Sequence, residues 1–197
     1  MLTINSYIHP MKTKFLIALA ITTMSCQSAN TSSENKTSNT MSQEKTSSDP
    51  QHANNPYYSH TDTAVLNVPD SEWKKILPDS IYQVARNKET EMAFAGKYWN
   101  FEGLGTYYCA ACGNTLFRSD SKFASSCGWP SFFQTIRKNS AVYKSDNSFG
   151  MARTEVLCGR CGAHLGHIFD DGPAPTGKRY CMNSIVLDFI PDKPSAH

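Results

Sequence analysis

The residues best suited to covalent chemistry lie near the C-terminus, in residues 178–184 (KRYCMNS). The apolar and β-branched residues that follow predict a single strand over residues 179–190. Because side chains alternate between the two faces of a strand, Arg179, Cys181 and Asn183 are expected on one face. A guanidinium on that face favours a thiolate and lowers the thiol pKa, so Cys181 is a candidate nucleophile tuned by Arg179. The alternative is a small cysteine buried in a core strand.

Four of the seven cysteines form two CxxC pairs, Cys109/Cys112 and Cys158/Cys161, each followed by glycine. This spacing lets two thiolates bind one ion, and two pairs complete a closed tetrahedral shell, so the pattern predicts one structural zinc ion per chain. Residues 113–157 separate the pairs, which means that the metal would hold two distant hairpins together. The alternatives are two disulfides in an exported protein, or a thioredoxin-like redox motif, for which the βαβ context is missing.

The remaining chemistry-bearing residues are a loop thiol and two histidines. Cys127 lies in a loop marked by Gly and Pro, residues 125–130, ahead of a predicted strand. A loop thiol can move toward a strand thiol, which suits a resolving partner of Cys181. His164 and His167 are three residues apart, and an imidazole can deliver a proton near neutral pH. Their alternatives are polar surface or turn residues, or substitute metal ligands, although four thiolates already complete the predicted zinc shell.

Residues 1–26 have the pattern of an export signal. Two lysines precede a short apolar run, residues 15–21, which is far below the roughly 20 residues that span a bilayer. Residues 23–26 (TMSC) are similar to a bacterial lipoprotein processing site with Cys26 as the acylated residue, and the alternative is an ordinary cleaved signal. The pattern therefore predicts an exported protein of the cell envelope or periplasm, anchored to the membrane as a lipoprotein.

Residues 27–60 are expected to form a disordered polar tether, and the folded domain is expected to span residues 61–197. Residues 27–56 contain no Phe, Tyr, Trp, Val, Ile or Leu, so they cannot bury enough apolar surface to offset the entropy of ordering. A formal net charge of +2, without a basic run, gives no support to nucleic-acid binding. A monomer with one folded domain and no nucleic-acid partner is expected.

Periodicity in the folded part predicts two short helices followed by strands. Residues 71–77 and 78–85 place apolar side chains at helical spacing, with Trp73 in the core and Asp70 or Ser71 available as the first N-cap. Short apolar runs split by Gly, Asn, Asp and Ser then predict a mainly β, antiparallel assembly of sandwich or barrel type. The predicted strands are residues 105–109, 115–118, 131–136, 141–144, 149–157, 165–170 and 179–190.

Taken together, several segments resemble the B-type methionine sulfoxide reductases, a family specific for the R epimer of the sulfoxide. The segments that carry the resemblance are Cys109-x-x-Cys112, Cys127-Gly128-Trp129-Pro130-Ser131-Phe132, Arg153-Thr154-Glu155-Val156, His164-Leu165-Gly166-His167-x-Phe169-x-Asp171-Gly172-Pro173 and Arg179-Tyr180-Cys181-x-Asn183-Ser184. The resemblance covers residues 68–191. It implies coiled antiparallel sheets with short N-terminal helices, stapled by a four-cysteine zinc site.

The resemblance also implies a redox cycle. Cys181 would attack the sulfoxide sulfur, release methionine and remain as a sulfenic acid. Cys127 would then attack that sulfenic acid and form a disulfide. A thioredoxin-like donor would reduce the disulfide by exchange. The substrates would be oxidised proteins or peptides that carry methionine-R-sulfoxide, and the function would be their repair.

The same resemblance assigns roles around the sulfoxide. His164 and His167 would bind and protonate its oxygen as the S–O bond breaks. Asp171 and Asn183 would hold that network in place. Trp129 would wall the pocket for the substrate methyl group, the alternative being plain core packing.

Three other functions compete with this one. A zinc-ribbon-like binding module without catalysis would need neither Cys127 nor Cys181. A structural disulfide between these two cysteines would leave Arg179 and the two histidines unexplained. A zinc hydrolase needs an open coordination position, which four thiolates do not leave.

Overall fold

The computed structural model describes residues 50–194. The predicted signal, Cys26 and most of the predicted tether fall on residues 1–49, which lie outside the described residues, as do residues 195–197. Within residues 50–194, no helix combines the length and the apolar character needed to cross a bilayer.

Two short helices precede nine strands in the described residues. The helices are α1 (Asp70–Ile76) and α2 (Asp79–Ala85). The strands are β1 (Gly105–Cys109), β2 (Thr115–Arg118), β3 (Lys122–Phe123), β4 (Ser131–Phe132), β5 (Ala141–Asp146), β6 (Arg153–Cys158), β7 (His164–Phe169), β8 (Arg179–Met182) and β9 (Leu187–Pro191). Their order confirms the mainly β class with helices first.

The strands form two antiparallel sheets. The smaller sheet has the order β2-β1-β9, and the larger has the order β3-β4-β8-β7-β6-β5. Short antiparallel strands joined by tight turns are what the Gly-, Asn- and Ser-rich breaks predicted. The sheets and helices enclose one core, whose largest fully buried side chains include Trp73, Tyr107, Phe117, Phe132 and Met182. Trp73 is therefore a packing residue, as predicted.

The C-terminal apolar run is two strands rather than the predicted one. After β8 the chain forms a short 3₁₀ helix, Ser184–Val186, before β9 begins. Because β8 belongs to the larger sheet and β9 to the smaller, this turn carries the chain from one sheet to the other. The sequence pattern does not reveal that the chain changes sheets, because apolar residues lie both before and after the turn.

Other boundaries also differ from the predicted ones. The strand predicted over residues 131–136 stops at Phe132, and β3 was not predicted. β6 begins at Arg153 rather than at residue 149, because Phe149 lies in a 3₁₀ turn at φ 54° with 89% of its surface exposed. The N-cap of α1 is Pro69, without a side-chain cap, instead of Asp70 or Ser71.

The described fold begins before residue 61, the predicted boundary. We call residues 50–60 the N-terminal arm. His52 is 5% exposed and pairs with Asp188 of β9 at 2.9 Å, and the Tyr58 hydroxyl donates to the same carboxylate at 2.8 Å. Asn55 donates from Nδ2 to the Ala111 carbonyl at 2.9 Å. The arm is held by paired polar groups, which explains why a composition poor in apolar residues did not predict it.

Candidate active site

The register of the larger sheet aligns four chemically active side chains. Glu155 on β6 is opposite His167 on β7. His167 is opposite Cys181 on β8, and Cys181 is opposite Ser131 on β4. Directly opposed residues share a face, with Cβ atoms about 4.5–5.5 Å apart. A carboxylate, an imidazole, a thiol and a hydroxyl therefore form one row across the sheet.

A β-bulge brings the second histidine to the same face. Residues three apart in a regular strand point to opposite faces. Here the register of β7 against β6 shifts, so that Leu165 is an extra residue between the pairs made by His164 and Gly166. His164 consequently faces the same side as His167, and the centroids of the two rings lie 5.5 Å apart.

Each imidazole is paired with a carboxylate. Nδ1 of His164 is 2.8 Å from Oε1 of Glu155, and Nε2 of His167 is 2.7 Å from Oδ2 of Asp146. Burial lowers the pKa of His164, and Glu155 opposes that shift. Hydrogen bonds from Ser148 and then from His167 lower the pKa of Asp146. These contacts leave Nε2 of His164 and Nδ1 of His167 as the ring nitrogens not held by the carboxylates.

Within residues 50–194, the two thiols outside the CxxC pairs are in contact. Sγ of Cys127 is 3.4 Å from Sγ of Cys181. Burial raises the pKa of Cys181 to about 12, with Cys127 adding to the rise and Arg179 opposing it. Burial also acts to raise the pKa of Cys127, but hydrogen bonds with Ser125, Ser131 and neighbouring groups lower it to about 7. In the reduced pair, Cys127 is therefore the more acidic thiol.

Arg179 lies on the Cys181 face, as predicted, but it has other partners. Its guanidinium makes two bonds to Asp171, at 2.9 and 2.8 Å, and lies 4.4 Å from the centroid of the Phe169 ring. Arg179 acts to lower the pKa of Cys181, as predicted, but burial outweighs the cation and the net shift is upward. Asp171, whose side chain is 61% exposed, contacts Arg179 rather than the histidines. The carboxylates that do hold the histidines were not predicted.

A cavity of about 120 Å³ opens beside the row. Its lining includes Trp129, Arg153, His167, Phe169, Cys181 and Asn183. Cys127 is not among the lining residues, so it is Cys181 whose sulfur a molecule in the cavity would meet. A lining of both aromatic and polar side chains suits a small ligand with an apolar part and a hydrogen-bonding part.

Asn183 lies just past the end of β8 and is buried. Its Nδ2 donates to the Leu165 carbonyl at 3.1 Å, and its Oδ1 accepts from the Glu91 amide at 3.0 Å. Asn183 thus lines the cavity, and its contacts fix the backbone rather than the imidazoles that the resemblance implied it would hold.

The four CxxC cysteines form a second cluster, and all four are buried. The Sγ atoms lie within 4.8 Å of one another, with 3.8 Å between Cys109 and Cys161 and 3.7 Å between Cys112 and Cys158. Tetrahedral bonds of about 2.3 Å to one metal ion would separate the sulfurs by about 3.8 Å, whereas a disulfide requires about 2 Å. The residues therefore fit a closed tetrahedral metal site.

Comparison with known proteins decides the family. The SelR domain model matches residues 77–191. The peptide methionine sulfoxide reductase MsrB of Leptospira interrogans is 52% identical over 124 residues, which are 63% of this chain and 95% of that protein. The MsrB of Methanosarcina barkeri is 53% identical over 120 residues, or 61% of this chain and 84% of that protein.

The chain belongs to the B-type methionine sulfoxide reductase family. It is thus an oxidoreductase, and the family resemblance noted in the sequence is confirmed. In this member of the B-type family, one cavity is lined by Trp129, His167, Cys181 and Asn183. Cys127 contacts Cys181, and His164 packs against His167. Arg179 and Asp171 form a pair at the edge of the same sheet face.

The sequence did not predict several residues of the candidate site. Glu155 lies in a segment that carries the family resemblance, but no role was predicted for it. Asp146 and Glu91 had no signal in the sequence, because a carboxylate in a polar stretch is most often a solvated surface group. Only the register of β5 and β6 and the path of residues 88–94 bring these two carboxylates to the site.

Proposed function

We propose that the chain reduces the R epimer of methionine sulfoxide in peptides and proteins. The observation that carries the proposal is the Cys181 thiol, which faces a cavity walled by Trp129 while the Cys127 thiol lies behind it at 3.4 Å. The names of the relatives, peptide methionine sulfoxide reductases, support the substrate class. Their B type supports the choice of epimer.

The first step joins the Cys181 sulfur to the sulfoxide. As the thiol attacks the sulfoxide sulfur, the sulfoxide oxygen accepts a proton and the S–O bond breaks. As the oxygen is transferred to the Cys181 sulfur, the transient bond between the two sulfurs breaks, so that Cys181 becomes a sulfenic acid and the substrate leaves as methionine. Trp129 and Phe169 would surround the apolar end of the substrate side chain. This step oxidises one thiol and reduces one sulfoxide.

The histidines are placed to supply the proton. His167 is directly opposite Cys181 across the sheet, and His164 lies beside it on the same face. With Glu155 and Asp146 holding one nitrogen of each ring, Nε2 of His164 and Nδ1 of His167 are the atoms that we assign to the sulfoxide oxygen.

The second step uses Cys127. Its thiolate would attack the sulfenic sulfur of Cys181, releasing hydroxide that is protonated to water and leaving a disulfide. The low pKa of Cys127, about 7, favours the thiolate that this attack needs. A thioredoxin-like dithiol would then reduce the disulfide by exchange, and methionine repair would continue.

We further propose that the CxxC cluster holds one structural zinc ion. Four thiolates that close a tetrahedron suit zinc and leave no open position for substrate. The cluster would join the end of β1 to the end of β6, and so one sheet to the other. Elemental analysis of the purified protein should find one zinc per chain, and Cys112→Ser should lower both the zinc content and the melting temperature. Full stability without metal would contradict the assignment.

The export signal and lipid anchor at Cys26 are also proposed, from the pattern of residues 1–26. An exported domain is out of reach of cytoplasmic thioredoxin, so an exported thioredoxin-like protein fed by a membrane relay would be the donor. Labelled palmitate should be incorporated by the full chain in a bacterial host and not by Cys26→Ser. Equal labelling of both proteins would contradict lipidation at Cys26.

The deciding experiment separates the two epimers. Residues 50–197 are incubated with dithiothreitol and either the R or the S sulfoxide of one peptide, and methionine is measured. We expect turnover of the R epimer alone, none by Cys181→Ser, and at most one methionine per chain by Cys127→Ser when a thioredoxin-like donor replaces dithiothreitol. A folded, zinc-loaded wild type that reduces neither epimer would instead favour a zinc module without catalysis.

A further inference from the structure

Glu91 makes hydrogen bonds to three separate parts of the candidate site. Its side chain accepts from two backbone amides, those of Ser184 at 2.6 Å and Ile185 at 3.0 Å. Its own amide donates to Oδ1 of Asn183 at 3.0 Å. Its carbonyl accepts from Nε1 of Trp129 at 3.1 Å.

The side-chain contacts fix where the Glu91 backbone lies. Ser184 and Ile185 begin the 3₁₀ turn that follows Asn183, and two amides aimed at one carboxylate make charge-assisted hydrogen bonds. These are among the stronger hydrogen bonds in proteins, at roughly twice the strength of neutral ones. The carboxylate therefore ties residues 88–94 to the turn between the two sheets.

The backbone hydrogen bonds of Glu91 connect it to two residues that line the cavity. Trp129 and Asn183 both line the cavity beside Cys181, and both are bonded to the peptide groups of Glu91. Trp129 stands in a loop with Gly128, whose carbonyl accepts from the Phe94 amide at 2.8 Å. The indole thus depends on residues 88–94 for its orientation, and these depend on the Glu91 carboxylate.

We infer that Glu91 is a positioning residue for the sulfoxide pocket: its carboxylate anchors the peptide groups that orient Trp129 and Asn183 beside Cys181. The inference rests on the proposed function, because it assigns the pocket to the sulfoxide side chain. Glu91 itself is not a lining residue of that pocket, so it acts through its neighbours.

The space around the carboxylate is tightly filled, which offers a second way to disturb it. A Cβ on Gly96 would lie 2.5 Å from Oε1 of Glu91 and 2.4 Å from Oγ of Ser184. Gly96→Ala must therefore displace the carboxylate or the turn while Glu91 itself remains in the sequence.

The kinetic test compares Glu91→Ala, Glu91→Gln and Gly96→Ala with the wild type on the R sulfoxide peptide. Glutamine keeps one carbonyl oxygen, so it can accept from one of the two amides. We expect kcat/KM to fall about tenfold to a hundredfold for alanine and less for glutamine, mostly as a rise in KM. Glu89→Gln is the matched control, since Glu89 is exposed two residues away, and its kinetics should equal those of the wild type.

A spectroscopic test reads the pocket without turnover. The chain has three tryptophans, so the indole N–H signal of Trp129 in a nitrogen-15 NMR spectrum is assigned by its loss in Trp129→Phe. We expect that signal to shift and its hydrogen exchange to quicken in Glu91→Ala and Gly96→Ala, but not in Glu89→Gln.

The outcomes separate this inference from the proposed function. Unchanged kcat/KM and an unchanged Trp129 signal in Glu91→Ala would overturn the inference, as would a fall in melting temperature with KM and the signal unaltered. A wild-type protein that is inactive on both epimers would contradict the proposed function. The NMR measurement would still decide whether Glu91 positions Trp129.

Discussion

Cys127 and Cys181 lie 3.4 Å apart, yet their surroundings move their pKa values in opposite directions. Cys181 is the more deeply buried thiol, and a nearby thiolate disfavours a second negative charge. Hydrogen bonds from a serine-rich loop stabilise the thiolate of Cys127. Near neutral pH, Cys181 therefore stays protonated at the cavity, whereas Cys127 behind it more readily forms the thiolate.

The first prediction follows from this difference in acidity. With the protein fully reduced, iodoacetamide should label Cys127 before Cys181 at pH 8. The labelling rate of Cys127 should rise as the pH increases through about 7, because the thiolate is the reactive form. Peptide mass spectrometry after timed quenching measures both sites. Prior labelling of Cys181 would contradict the assigned order.

The second prediction concerns Glu155, which supports His164. Glu155 raises the pKa of His164 against the effect of burial, whereas Lys88 lowers it. If His164 donates the proton, Glu155→Gln should lower kcat/KM about tenfold or more and move the alkaline fall in activity to lower pH.

Lys88→Ala is the opposite control for that prediction. Lys88 pairs with Glu155 at 2.8 Å, so its removal leaves the carboxylate to His164 alone. The alkaline fall in kcat/KM should stay in place or move to higher pH. A shift in the same direction in both variants would argue against a titrating His164.

At the scale of elements, the bulge in β7 places both histidines on the sheet face that carries Cys181. Gly166 follows the extra residue Leu165 and packs tightly against β8. A Cβ at this position would lie 2.1 Å from the Cys181 carbonyl oxygen. The bulge thus needs glycine at this point, where the backbones of β7 and β8 approach closely.

The third prediction tests this close approach. Gly166→Ala should destabilise the domain by about 2 kcal/mol or more, because backbone atoms must move apart. Gly150→Ala is the control: its φ is +70° but its Cβ would meet nothing within 4 Å. It should cost only about 1 kcal/mol, the strain of that backbone conformation. Urea denaturation measures both, and equal losses would contradict the steric explanation.

At the scale of the whole molecule, the N-terminal arm and the cysteine cluster join the two sheets. Arg160, between Cys158 and Cys161, is buried and donates to the carbonyls of Cys112 and Tyr57, each at 2.6 Å. The arm therefore closes over the cluster, and its far contacts reach Asp188 on β9.

The fourth prediction compares two starting points of the chain. A protein that begins at residue 61 loses His52 and Tyr58, which bond to the largely buried Asp188 carboxylate, and Asn55, which bonds to the Ala111 carbonyl. Unpaired buried polar groups cost about 1–3 kcal/mol each. The melting temperature should therefore be several degrees lower than that of a protein beginning at residue 50. Equal melting temperatures by calorimetry would show that the arm contributes nothing.

Local patterns in the sequence were sufficient to predict the cysteine cluster, several helices and strands, and the family. The CxxC spacing with its glycines predicted the cysteine cluster, because each pair is set by a single tight turn. Helical and strand periodicity placed α1, α2, β1 and β2, since burial of one face repeats at a fixed interval along the chain. The family could also be recognised from short segments.

Only the tertiary structure shows which side chains contact the residues that the local patterns identified. The apolar, β-branched run predicted one long strand, but a turn between the sheets divides it. Strict alternation would put His164 and His167 on opposite faces, but a bulge brings them to the same face. The carboxylate partners of the imidazoles, Glu155 and Asp146, come from the neighbouring strands β6 and β5 of the same sheet, and the Glu91 anchor comes from a segment distant in the chain. A local pattern records only which face a residue takes. The pKa of a thiol and the partner of a histidine depend on what the fold brings against that face.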